Sequence, residues 1–257
     1  MELPRLLTPD VLWTGGCVEL EIHGERVHSH FGNYVVRGSR TSILVDTGHP
    51  MHAEQIEAAL DGFLGGAQPG YIFPTHLEYP HCGLLPKWLR KYPDAQVIGD
   101  TRDYPLHYPE HAHRFVQMDP GSFVDLGGRN FVVVPAIWCD LTETLWGFDT
   151  GDRILFVADG FSATHHHLPG HCGLTAGEQP IPDANMMRTI NELALQWTRY
   201  TDASTTFDEL DELLGLLQPR IIAPAHGAVI DQPEFMLPAI KAAMCGTSIA
   251  APEPVPA

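Results

Sequence analysis

Between residues 10 and 48, three stretches, DVLWTGGCVEL, HSHFGNYVVRG and TSILVDTG, are rich in β-branched and aromatic residues and end at glycine or polar breaks. Such runs predict short strands, here a meandering antiparallel set. After DTGHP, where Pro50 can open a helix, MHAEQIEAALDGFL places Ile56, Leu60, Phe63 and Leu64 at helical spacing. GYIFPTH then reads as a strand, GLLPKWLRKY as a helix with Pro86 in its first turn, and AQVIGD as another strand. Two hairpin-like pairs follow, SFVDLGGRNFVVVPAIW and TLWGFDTGDRILFVADGF, with turns at GG and TGD. Residues 162–182, dense in Gly, Pro and His, predict a long loop, and such loops in compact domains are more often functional than idle. Helices over Asp183 to about Tyr200 and Thr206 to about Leu217, a strand RIIAPAHG, and a short helix near Glu234 to Met244 complete the order.

The alternation is a mixed α/β pattern of sheets covered by helices. The length, 257 residues, suits one large domain, assigned to residues 1–248, and the Pro-rich segment 249–257, ending APEPVPA, is expected to be disordered. With 44% hydrophobic and 18% charged residues, the composition is that of a soluble globular protein. No apolar run is long enough to cross a bilayer and the start MELPRLLTPD lacks the features of a signal peptide, so a cytoplasmic location is expected. A formal charge of −17 without any Lys/Arg cluster disfavours nucleic acid and anionic membrane, which leaves a small-molecule substrate as the expected partner. The five cysteines are odd in number and lack C-x-x-C pairing, as in a reducing compartment. Fifteen histidines are the anomaly, and only their spacing can say whether they bind metal.

That spacing is informative. YIFPTHLEYPH, RILFVADG and RIIAPAHG each carry candidate ligands just past an apolar strand: His76, Glu78 and His81, then Asp159, then His226. Strand-end loops are where side chains converge while the sheet holds them rigid. Singly, each histidine is more often a hydrogen-bonded or surface residue and the aspartate a turn former; together they make a convergent site. Carboxylates mixed with imidazoles suit one or two divalent ions of iron, manganese or zinc, and the lack of paired cysteines argues against structural zinc. G-x-G-x-x-G after a strand, G-x-x-x-x-G-K and G-x-S-x-G are absent, which removes the main support for nucleotide binding or a serine nucleophile.

NYVVRGSRTSILVDTG, THLEYPHCG, ILFVADGF and IIAPAHG, in this order, resemble the metallo-β-lactamase superfamily. Glu78 in place of a second histidine, with the WCD segment followed by LFVADGF and APAHG, resembles its flavodiiron and oxygen-binding diiron branch. The resemblance spans most of residues 33–228 and implies a metallo-β-lactamase-like αββα sandwich, two mixed sheets flanked by helices, with a metal cleft along one edge. It implies His76 and Glu78 as ligands of a first ion, His81 and His226 as ligands of a second, and Asp159 as the bridging carboxylate. Asp46 and Asp140 are implied as residues around the ligands, Asp46 orienting the site by hydrogen bonds. Two positions depart from the pattern: Pro80 stands for an aspartate and Ile137 for a histidine. Asp140 and Cys139 lie next to the second of these, His165, His166 and His167 follow Asp159 and could reach the cleft, and Trp138 could line a substrate pocket.

Loss of ligands at both ions should disturb a redox centre more than a Lewis acid, and no flavin domain is read in the chain. The expected function is therefore a metal-dependent hydrolase of a small organic molecule, with Asp159 and His81 as catalytic groups around a metal-activated water. The alternatives are a diiron oxidoreductase or sensor that binds oxygen or nitric oxide, and a non-catalytic or partner-dependent subunit. A homo- or hetero-oligomer is expected.

Overall fold

The computed structural model describes residues 2–163 and 170–246. The expected tail at 249–257 and the run His165 to His167 lie outside the described residues. Arg5–Thr8 (β1), Val11–Ile22 (β2), Glu25–Arg37 (β3) and Ser42–Val45 (β4) form an antiparallel meander. β2 and β3 pair along their whole lengths through a turn at His23 and Gly24, both at positive φ, the conformation that matches strand twist in a tight hairpin. The pairing runs further toward the turn than the apolar runs suggest, because Glu19, Glu21, Glu25 and Arg26 put polar residues into the strands' outer ends. Tyr71–Phe73 (β5), Gln96–Gly99 (β6) and Phe115–Gln117 (β7) continue the sheet in parallel, giving seven strands in the order β1 to β7.

A second sheet holds Phe123–Asp125 (β8), Asn130–Pro135 (β9), Leu145–Asp149 (β10), Ile154–Phe156 (β11) and Ile221–Ala223 (β12), in the order β12-β11-β10-β9-β8. In it β11 and β12 run parallel and the other neighbours antiparallel, so both sheets are mixed. Central strands are apolar at successive positions because both faces are covered. Ile43, Val45 and Phe73 meet Phe131, Val133 and Phe156 between the sheets. Leu44, Ile72 and Val97 face outward onto Ala53–Leu64 (α1) and, beyond the short turn Tyr79–Cys82 (α2), onto Leu85–Lys91 (α3), through Ile56, Leu60, Leu85 and Trp88. Tyr104–His107 (α4) precedes β7. On the far side Phe148, Leu155 and Ile222 pack beneath Ala184–Ala194 (α5), Phe207–Leu217 (α6) and Pro233–Ala243 (α7), through Met187, Leu210 and Ile240. The result is the αββα sandwich expected from the sequence.

Two expectations need correction. The helix read over Asp183 to Tyr200 stops at Ala194, and Gln196–Arg199 forms a separate 3-10 turn in which the Trp197 indole donates to the Cys139 carbonyl at 2.8 Å. Trp138 is absent from the wall of the cavity beside the candidate ligands. It is fully buried against Phe161 and Phe207, and its indole donates to Thr206 Oγ1 at 2.8 Å, so it belongs to the core beneath the helices. Among the described residues no helix is long and apolar enough to cross a membrane.

Candidate metal centre

The candidate ligands follow the carboxyl ends of strands in the parallel portions of the two sheets, where the loops leave a crevice. Asp46 follows β4, His76 and Glu78 follow β5, Asp159 follows β11 and His226 follows β12. The sheets therefore deliver their loops to one edge of the sandwich. Pro80 sits in the first turn of α2, where a missing N–H costs nothing, and the turn carries His81 round to the side of Glu78. Around Asp159 the backbone is tightly bent, with Ala158 and Phe161 both at positive φ, and the Ser162 hydroxyl donates to the Asp159 carbonyl at 2.7 Å.

The donor atoms fall into two half-sites that share Asp159. His76 Nε2 lies 3.6 Å from Glu78 Oε2 and 3.6 Å from Asp159 Oδ2. His81 Nε2 and His226 Nε2 each lie 3.1 Å from the other oxygen, Asp159 Oδ1. His76, Glu78, His81 and Asp159 each bring a ligand atom within 4.8 Å of the rest. Ligand–ion distances of about 2.0–2.2 Å put neighbouring donors roughly 3 Å apart, so these spacings suit donors around an ion.

The histidine tautomers support the same arrangement. His81 Nδ1 donates to Asp46 Oδ2 at 2.9 Å, while Asp46 Oδ1 accepts from the Thr75 amide at 2.8 Å and hydroxyl at 2.9 Å. His226 Nδ1 donates to the His30 carbonyl at 2.9 Å. With Nδ1 committed, each ring turns its Nε2 toward Asp159. Both ring nitrogens of His76, His81 Nε2 and Asp159 Oδ1 are buried without a hydrogen-bond partner among the described residues. Buried polar atoms are rarely left so; a cation between them satisfies them together, and the residues present fit a metal. Burial would lower the His81 pKa, yet the Asp46 and Asp159 carboxylates hold it well above the usual histidine value. Burial would raise the pKa of Asp159, but the imidazoles of His81 and His226 hold it well below the carboxylate range.

The departures take definite places. Pro80 lines a cavity of about 250 Å³ that Val18, Leu20, Phe31, Ile190 and Leu193 also wall, together with Glu78, Asp159 and His226. Ile137 packs, half-buried, against the core that contains Trp138. Asp140 is half-buried as well, and its carboxyl is raised chiefly by burial, with Asp159 and Glu78 adding to the shift and His76 opposing it. It is thus within electrostatic reach of the first half-site. Sequence alone does not single out His30, one of fifteen histidines; pairing opposite Cys17 within a buried stretch of strand is what distinguishes it.

A profile of the metallo-beta-lactamase superfamily matches residues 33–181. The chain belongs to that superfamily. Its relatives lie in the flavodiiron branch, as the sequence resemblance implied. The coenzyme F420H(2) oxidase of Methanothermobacter marburgensis is 26% identical over 249 residues, covering 89% of this chain and 58% of the oxidase. The anaerobic nitric oxide reductase flavorubredoxin of Vibrio vulnificus is 24% identical over 209 residues, covering 77% of this chain and 40% of the reductase. The flavodiiron protein from Giardia intestinalis superposes with a TM-score of 0.71 at 16% identity, covering 95% of this chain and 58% of that one. The chain thus spans between 40% and 58% of the length of these relatives. The hydrolase expectation is overturned, because the relatives are oxidases and a nitric oxide reductase.

Proposed function

We propose that this chain carries a redox metal centre, one or two iron ions, at which dioxygen or nitric oxide is reduced with electrons from a flavin donor. The carrying observation is the convergence on Asp159: His76, itself beside Glu78, faces one of its oxygens, and His81 and His226 face the other. Imidazoles mixed with carboxylates are a donor set that suits iron, and the names of the relatives, oxidase, nitric oxide reductase and flavorubredoxin, support the redox reading. Bound iron would supply electrons and a docking point for the diatomic molecule.

The chain's own residues set the conditions. Asp46 and the His30 carbonyl take the Nδ1 protons of His81 and His226, which leaves Nε2 of each ring as the donor atom. Glu78 and Asp159 supply the negative charge that retains a cation. Val18, Leu20, Phe31 and Ile190 make the approach to the site mostly apolar, which admits a small uncharged molecule and limits water. Because the side chains of Pro80 and Ile137 donate nothing, His76, Glu78 and Asp159 in one half-site, and His81, His226 and Asp159 in the other, leave open positions for a small ligand.

The test is consumption of oxygen or nitric oxide by the iron-loaded protein supplied with a reduced flavoprotein. Turnover that stops in Asp159→Ala supports the assignment; consumption no faster than that of the flavoprotein alone contradicts it.

A further inference from the structure

Away from the candidate metal ligands, two cysteines distant in sequence come together. Cys17 lies on β2 and Cys172 in the segment between β11 and α5. Both line one cavity of about 330 Å³ with Gly16, His52 and Gln55, close enough that the Cys172 sulfur acts on the Cys17 thiol. The backbone fixes this meeting. Cys17 is paired in register with His30 on β3, and the buried His30 ring, through Nε2, donates to the Cys172 carbonyl at 2.6 Å. On the next residue, the Gly173 carbonyl accepts from Arg5 Nη1 at 2.7 Å. The segment around Cys172 is therefore held over Cys17 from two sides.

We propose that Cys17 and Cys172 are a reversible disulfide pair, closed by hydrogen peroxide or an organic hydroperoxide and reopened by a dithiol. Both residues are partly exposed, in contrast to the buried Cys82, so an oxidant can reach them. Burial and the neighbouring Cys172 sulfur push the Cys17 thiol upward. The Cys172 thiolate attacks a peroxide oxygen, the O–O bond breaks, and a sulfenic acid and, with the thiol proton, one water form. Cys17 sulfur then attacks the sulfenic sulfur, the S–O bond breaks, and hydroxide leaves with the Cys17 proton as a second water. Two thiols lose two electrons and one hydrogen peroxide becomes two waters. A dithiol reverses the change by exchange and is itself oxidised to a disulfide.

The bond would tie the segment that follows Asp159 to the strand pair that supports His226. His30 links them, since its ring holds the Cys172 carbonyl and its own carbonyl holds His226 Nδ1. Neither the metal nor the redox reading above is needed for the pair to close.

The experiment is thiol mapping of the reduced full chain after brief hydrogen peroxide treatment, removal of the peroxide and alkylation in denaturant. The expected result is a monomer lighter by about 2 Da before alkylation, the two hydrogens lost on forming one S–S bond, with Cys82, Cys139 and Cys245 alkylated. Digestion should give a peptide joining Cys17 to Cys172, and dithiothreitol should restore alkylation. Cys245→Ser removes the exposed thiol and should keep the bond, whereas Cys172→Ser should lose it. Alkylation of Cys17 and Cys172 after peroxide in the wild-type chain, or linkage of either to another cysteine, would overturn the proposal without reference to any variant.

Discussion

Asp159 is the residue on which both half-sites depend, because its two oxygens face different imidazoles. Replacement by alanine should abolish tight metal uptake, measured by metal analysis after desalting; unchanged content would remove Asp159 from the site. Asp46 acts at one remove, through His81 Nδ1. Asp46→Asn should weaken metal binding about 10- to 100-fold in a chelator competition while leaving stoichiometry unchanged, the usual cost of losing such a partner. Trp138 tests the core assignment: Trp138→Ala should lower stability by about 3–5 kcal/mol in denaturant unfolding, as for other buried aromatics, whereas a pocket residue would change affinity and leave stability nearly alone. At this scale the donors were visible in the sequence because each follows an apolar strand. Trp138 and His30 stayed ambiguous, since a tryptophan beside a ligand segment and a histidine in a strand look alike whether buried in the core, lining a pocket or supporting a ligand.

Among the elements, α2 explains how the ligand loop tolerates Pro80: the first turn of a helix accepts proline, and it equally favours an acidic residue. Pro80→Asp should therefore fold, and with Ile137→His should raise metal retention about tenfold or more, judged against the size of effects from lesser partners. No gain in a chelator competition would show that these positions do not face the ions. The segment after Cys172 is pinned by Arg5, which hydrogen-bonds Glu178, while the Glu178 carboxylate also accepts from the Thr175 amide at 2.8 Å. The Arg5 bond holds the Glu178 pKa at about 2, below its ordinary 4.5. A depressed carboxylate pKa stabilises the fold above the unfolded value and loses that contribution as pH falls through the folded one. Thermal stability of the wild type should fall toward that of Arg5→Ala between about pH 4.5 and 2; a constant difference between the two would contradict the pairing. This strap was illegible in sequence because Arg5 and Glu178 are distant along the chain, and the break after α5 was hidden because helical spacing continues past Ala194.

For the whole molecule, alternation of strands and helices made the layers legible, since strands with successive apolar residues must be covered on both faces. The fold gathers at one edge the same five candidates that the sequence pointed to; the expectation of hydrolysis came from the departures at Pro80 and Ile137, and the relatives overturn it. The relatives that correct it are longer than this chain, which covers 58% and 40% of their lengths. The central issue is whether the site at the sandwich edge transfers electrons. A single-turnover experiment addresses it: iron-loaded protein, chemically reduced without oxygen, is mixed with a pulse of dioxygen or nitric oxide while near-ultraviolet absorbance is followed. Rapid reoxidation in proportion to bound iron, absent in Asp159→Ala, is the expected result; iron that binds but stays reduced, or reacts equally without Asp159, would contradict it.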